Sequence, residues 1–258
     1  TTGYGNTPTY DFFNKTPITQ ANIQIAVDAW VTDPTTTEAL YGHIKNWDTS
    51  AVTDMQLLFR YKGEFNDDIS GWDVSNVTTM YNMFVHSYVF NQDISGWDVS
   101  KVKTMQSMFS YAQDFNQDIS GWDVSSVTNM EDAFNNARAL NIPIHKWGIQ
   151  PSDILTNMFI GANALHTAYS GTTGFGDTPT YDFFNKTPIT QSNIQTAVDA
   201  WVANPTTAEA TYGNIKNWDV SAVTNMKNLF YNKKLFNDDI SGWDVSNVTD
   251  MENMFHSA

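Results

Sequence analysis

Aspartate recurs in this chain at a fixed interval. Asp48, Asp73, Asp98 and Asp123 stand 25 residues apart, with Asp219 and Asp244 as later counterparts, and Asp68, Asp93 and Asp118 form a second series with Asp239. If successive repeats stack, each series becomes a ladder of carboxylates. Two such charges about 5 Å apart repel by roughly 0.8 kcal/mol in water and by more near a low-dielectric surface, so something must offset them. Two chemistries can. Each aspartate can accept backbone N–H bonds near a helix N-terminus, where the helix dipole favours it. Alternatively, hard cations such as Ca²⁺ can sit between the rungs of Asp48, Asp73, Asp98 and Asp123, because oxygen-rich acidic ladders suit them. The Asp-x-Asp-x-Asp spacing of an EF-hand loop is absent.

Other chemistry-bearing residues do not assemble into a catalytic set. The five histidines, His43, His86, His145, His166 and His256, share no repeat position, and cysteine is absent. No Gly-rich phosphate loop or His-x-x-x-His occurs. Adjacent carboxylates such as Asp67 and Asp68 would face opposite ways on a strand, whereas acid–base work needs convergence and tuned pKa values. The chain reads as a non-enzyme with no cofactor other than Ca²⁺. Four Asn-x-Thr sequons, at Asn14, Asn76, Asn185 and Asn247, are candidate glycosylation sites if the protein is secreted by a eukaryote.

The residues that must position these groups repeat with them. Seven times a tryptophan is followed twelve residues later by phenylalanine: Trp47/Phe59, Trp72/Phe84, Trp97/Phe109, Trp122/Phe134, Trp147/Phe159, Trp218/Phe230 and Trp243/Phe255. A fixed period of this length predicts a solenoid, in which each repeat buries its apolar face only by stacking on its neighbours. Within one repeat, Ile69, Trp72 and Val74 predict a short inward-facing strand. Ser75 then caps a predicted helix with Val77, Met80, Met83 and Phe84 on one face. The Trp, Met and Phe rows are assigned to the core, and the Asn66, Asn91 and Asn116 row to a hydrogen-bonded turn ladder. The expected fold is α/β: a right-handed stack of strand-turn-helix coils.

A larger repeat encloses the smaller one. Residues 172–258 match residues 1–87 without a gap at an offset of 171, with roughly three quarters of positions identical. Each copy opens with a Gly/Thr/Pro-rich lead and a helical cap, expected as Thr19 to Val31 with Thr19 at the N-cap, then a break at Asp33-Pro34 and a short second helix. The expected organisation is a cap at 1–43, a five-coil solenoid at 44–170, a linker and second cap at 171–214, and two further coils at 215–258. The array is expected to continue beyond that point.

With 13 basic and 28 acidic residues, the formal charge of −15 disfavours nucleic acid and anionic membranes as partners. No apolar run is long enough to span a membrane, and no basic, apolar leader opens the chain.

The recurring stretch Phe-Asn-x-Asp-Ile-Ser-x-Trp-Asp-Val-Ser-x-Val-Thr-x-Met-x-x-Met-Phe, as in Phe65 to Phe84 and Phe90 to Phe109, resembles the BspA-like surface-protein repeats, relatives of the leucine-rich repeats. Lys103 departs from the pattern's Thr. The cap stretch Ala26-Val27-Asp28-Ala29-Trp30, with Tyr41-Gly42-His43-Ile44, is similar to segments preceding such arrays. The resemblance implies a secreted or cell-surface protein used for adhesion or as an extracellular scaffold, and it brings no catalytic residues. The expected partner is the protein itself, through head-to-tail stacking of units into a fibre or stalk. Surface glycans or proteins are the partners of the alternative reading, a recognition module that could depend on Ca²⁺.

Overall fold

The computed structural model describes residues 15–144, 147–172, 174–184 and 186–258. The chain divides into two compact units. Unit 1 runs to Ala168 and takes in Gly176–Pro179, while unit 2 comprises Tyr169–Phe175 and Thr180–Ala258.

Each unit carries a pair of helices joined at a tight corner. In unit 1, α1 spans Ile23–Thr32 and α2 spans Pro34–Tyr41. Residue Thr19 opens a preceding turn instead of capping α1, because Asn22 folds back to accept the Thr19 N–H at 2.8 Å and becomes the N-cap itself. Ile23, Ala26, Val27 and Trp30 form the buried face of α1. The break at Asp33-Pro34 is also a start. Asp33 accepts the Thr36 N–H at 3.1 Å, and Pro34, which has no N–H to satisfy, occupies the first helical position. Gly42, at φ +81°, ends α2 before a 3₁₀ turn at Ile44–Asn46.

The coils are not built of strands and helices. Among the described residues there is no sheet, only isolated parallel bridges joining Asp54, Thr79, Thr104, Asn129 and Ile154 in sequence, and Asn225 to Asp250. The strand-turn-helix solenoid expected from sequence, and the leucine-rich-repeat likeness with it, is therefore overturned. The expected strand Ile69–Val74 is a pair of turns, closed by Trp72 N–H to Ile69 O at 3.1 Å and Val77 N–H to Val74 O at 2.8 Å. The expected helix after Ser75 is a row of turns whose N–H groups alternate in direction. Met80, Asn82, Phe84 and His86 donate to Thr104, Gln106, Met108 and Ser110 of the next coil at 2.8–3.1 Å, whereas Met83, Val85 and Ser87 close i to i−3 turns inside their own coil. An α-helix would consume all these donors internally.

The reason lies in residues that a search for apolar spacing overlooks. Positions Leu57, Asn82, Ser107, Asp132 and Asn157, and four residues later Tyr61, His86, Tyr111, Asn136 and Gly161, all have left-handed backbone at φ 54–66°. A left-handed residue every fourth position ends each turn and forbids α-helix, and asparagine and glycine suit it best. Thr78, Thr79 and Asn82 are also weak helix formers. The i, i+3, i+6, i+7 apolar spacing fits this turn row as well as it fits a helix.

The core assignment holds in unit 1, where the Trp, Met and Phe rows are buried, and Phe59, Phe84, Phe109 and Phe134 stack at centroid spacings of 5.2, 5.5 and 5.5 Å. In the last coil of unit 2, Met251 and Phe255 are exposed. Each buried indole keeps a partner. Trp72, Trp97, Trp122 and Trp147 donate to Ile44 O, Ile69 O, Ile94 O and Ile119 O, 28 residues back, at 2.9–3.3 Å.

The two ends of unit 1 are closed by different chemistry. At the cap end, Gln20 Oε1 accepts the Thr53 and Asp54 N–H groups, both at 2.9 Å, and its Nε2 donates to Asp54 O at 2.9 Å. One carboxamide thus replaces the peptide groups of an absent preceding coil. Gln24 similarly donates to Leu58 O at 3.2 Å. At the far end stand α3, Asn163–Ala168, and a strap at 176–179. Phe159 N–H donates to Asp177 O at 2.9 Å, and Asn157 N–H donates to Thr178 Oγ1 at 2.8 Å.

Unit 2 repeats the cap. A short α4, Tyr181–Phe184, precedes α5, Ile194–Ala203, and α6, Pro205–Tyr212. Gln191 and Gln195 take the places of Gln20 and Gln24, on Thr224, Asn225 and Leu229.

Candidate functional surface

The aspartate rows are turn-formers. In each repeat the Asp side chain accepts the N–H of the serine two residues on: Asp48 from Ser50, Asp73 from Ser75, Asp98 from Ser100 and Asp123 from Ser125, at 2.9–3.1 Å. Asp68, Asp93 and Asp118 do the same with Ser70, Ser95 and Ser120, all at 3.0 Å. For Asp48, Asp68, Asp73, Asp93, Asp98 and Asp123 the serine hydroxyl, and then the serine N–H, holds the carboxyl below its ordinary value. Row neighbours act weakly the other way, as Asp48 and Asp98 do on Asp73. The backbone donors expected from sequence are thus present, supplied by local turns instead of helix ends. Among the described residues no three His, Asp or Glu side chains come together in a way that could hold a metal ion.

The asparagine row is the expected ladder. Asn91, Asn116 and Asn141 donate their N–H to the side-chain oxygen of Asn66, Asn91 and Asn116 at 2.7–2.9 Å. The sequon residue Asn76 serves the same stacking. Its Nδ2 donates to Ser50 O at 3.0 Å and its Oδ1 accepts from Lys101 Nζ at 2.8 Å, while Thr78 Oγ1 donates to Thr53 O at 3.1 Å. Asn247 repeats the first of these bonds on Ser221 O at 2.9 Å. Asn14 and Asn185 lie outside the described residues. Between the same turn-row position of consecutive coils, Gln106 Nε2 donates to Glu131 Oε2 at 2.9 Å.

One surface cluster was not singled out by the sequence reading. Tyr61, His86 and Tyr111 occupy one repeat position and stack face to face, with centroids 5.0 and 4.5 Å apart. Arg60 lies over the outer face of Tyr61 at 4.5 Å, and the Tyr88 hydroxyl meets His86 Nδ1 at 3.1 Å. Desolvation, and then the Arg60 charge, lowers the His86 pKa below its ordinary value. Tyr61 is 61% exposed and Tyr88 41% exposed, so this is aromatic surface facing water. All three stacked residues sit in the left-handed backbone that the same row fills with Asn136 and Gly161 in the last two coils. A bulky side chain there costs roughly 1–2 kcal/mol, which ring stacking offsets in part. The signal was available as an aromatic-His-aromatic series at 25-residue spacing.

No curated protein and no solved structure matches the chain. A family model matches residues 31–147, 88–172 and 196–258, most of the chain, and the chain therefore belongs to the family described as "Mycoplasma protein of unknown function, DUF285".

Proposed function

We propose that the chain is a non-catalytic scaffold or adhesive protein of an extracellular or cell surface, built as a tandem array of capped coil stacks. The observation that carries this reading is where the repeating polar side chains spend their bonds. The Asp-Ser turns, the asparagine ladder, the Thr78 hydroxyl and the Asn76 amide all act within a coil or between consecutive coils. A surface whose polar groups maintain its own regularity suits a rigid spacer. The likeness of the repeat to BspA-like surface proteins supports an extracellular location, and units joined head to tail would give a fibre or stalk. Electron microscopy of the native material tests this. Filaments with an axial period matching one 171-residue unit support the scaffold, and dispersed short particles overturn it.

A second reading has its own observation. The exposed cluster of Arg60, Tyr61, His86, Tyr88 and Tyr111 favours recognition of a glycan or protein, because strained aromatic positions on a surface are commonly functional. Binding to a glycan or cell-surface panel that Tyr61→Ala abolishes without loss of stability supports it. Equal binding by the variant removes it.

A further inference from the structure

The last coil of unit 1 is closed by a strap whose sequence recurs, with one change, elsewhere in the chain. Gly176-Asp177-Thr178-Pro179 satisfies Phe159 N–H through the Asp177 carbonyl and Asn157 N–H through the Thr178 hydroxyl. His166 Nε2, which also contacts Phe159 O at 3.0 Å, pairs with Asp177 Oδ1 at 3.2 Å. Pro179 is buried, whereas Asp177 and Thr178 are exposed, so the strap lies on the coil with one anchored residue. The equivalent stretch near the start of the chain is Gly5-Asn6-Thr7-Pro8, with Asn6 where the strap has Asp177.

We infer that the fifth-coil edge is an exchangeable docking edge, and that its partner is the Gly5–Pro8 segment of a second copy of this chain. The inference rests on the scaffold reading and names its joint. Thr7 brings the hydroxyl that Asn157 N–H needs, Asn6 brings the carbonyl that Phe159 N–H needs, and Pro8 brings the ring that Pro179 buries. The one difference decides the preference. Asn6 lacks the carboxylate that meets His166, so the resident strap is favoured by that contact. It is also favoured by tethering, equivalent to a local concentration on the order of 1 mM. Exchange between copies is therefore populated where chains crowd, as on a surface, or where the resident strap is weakened. Such exchange of identical elements is a low-cost route to assembly.

The test follows hydrogen exchange at the Asn157 and Phe159 amides in the full chain. The double variant Asp177→Ala/Thr178→Val is expected to exchange about tenfold faster there. A synthetic peptide of residues 1–12 at about 1 mM restores protection, and the same peptide carrying Thr7→Val does not. If the double variant fails to fold, Asp177→Asn serves instead, since it makes the two straps identical. It is expected to form oligomers at high concentration by light scattering, and deletion of residues 1–10 to abolish them. Amides that the peptide leaves unprotected, or oligomers that survive the deletion, overturn the proposal. Either result leaves the microscopy test of the scaffold standing separately.

Discussion

Replacing Gln20 with alanine removes a single side chain that stands in for a whole coil. Its carboxamide makes three bonds of 2.9 Å to the main chain of Thr53 and Asp54. Each neutral bond contributes about 1 kcal/mol net, giving an upper figure near 3 kcal/mol. Gln20 and Thr53 are exposed, so water replaces part of the loss and the expected destabilisation is about 1–2 kcal/mol. Urea unfolding measures the total, and native-state hydrogen exchange assigns it. The Thr53 and Asp54 amides of unit 1 should lose protection, while Thr224 and Asn225, held by Gln191 in unit 2, should not. Gln191→Ala should give the mirror result. A loss below about 0.5 kcal/mol, within the range of an ordinary surface substitution, together with unchanged exchange at Asp54, would refute the idea that these glutamines act as surrogate peptide groups.

Phe109→Ala empties a site 1% exposed between Phe84, Phe115 and Phe134, and is expected to cost about 3–5 kcal/mol by chemical denaturation. The serine-bonded aspartates have folded pKa values below 3.8, so their stabilisation is complete above that pH and is lost as pH falls through the lowered values. Ser70→Ala with Ser95→Ala should flatten the acid arm of the urea midpoint below pH 3.8. His86 has a folded pKa below 6.5, so stability is full above that pH and declines as pH drops toward the folded value, an NMR-measurable titration that His86→Asn removes from the stability profile. Because each ladder aspartate is engaged by its own serine, a chelator is expected to leave the melting temperature unchanged, and a fall on adding EDTA would revive the cation ladder.

Periodicity and burial were legible in the sequence because they depend on side-chain size. Trp72, Met80, Met83 and Phe84 had to be inside whatever the backbone did, and they are. Backbone type was not legible from the same residues, because a row of turns and a helix present apolar groups at nearly the same spacing. The deciding information sat in Asn82, Asn157, Asn228 and Asn253, whose left-handed conformation breaks each turn. The apolar spacing marks the Asn66 ladder as a turn but carries no sign of the break at Asn82. Gln20 and Gln191 escaped notice for a different reason. A glutamine on a polar cap has no pattern of its own, and its role exists only once the coil edge is in place. The stacked Tyr61, His86 and Tyr111 are legible in the sequence as one 25-residue series once histidine is counted among the aromatic residues of neighbouring repeats.

The alternation of N–H direction along each turn row gives the coil stack an arrow. In the Met80–His86 segment the inter-coil donors point toward the following coil, whereas Thr78 and Lys103 donate back to Thr53 O and Thr78 O, so the turn row, though not the whole edge, leaves N–H groups at one terminus and carbonyls at the other. The two terminators answer the turn row in kind: glutamine amides donate to Asp54 and Leu58 at one terminus, where Gln20 also accepts the Thr53 and Asp54 N–H groups, and the Asp177 carbonyl and Thr178 oxygen accept at the other. Within the turn row, like termini would therefore set donor against donor or acceptor against acceptor. Any assembly grown by pairing these edges has a direction, with two chemically distinct tips that can be lengthened, blocked or anchored independently.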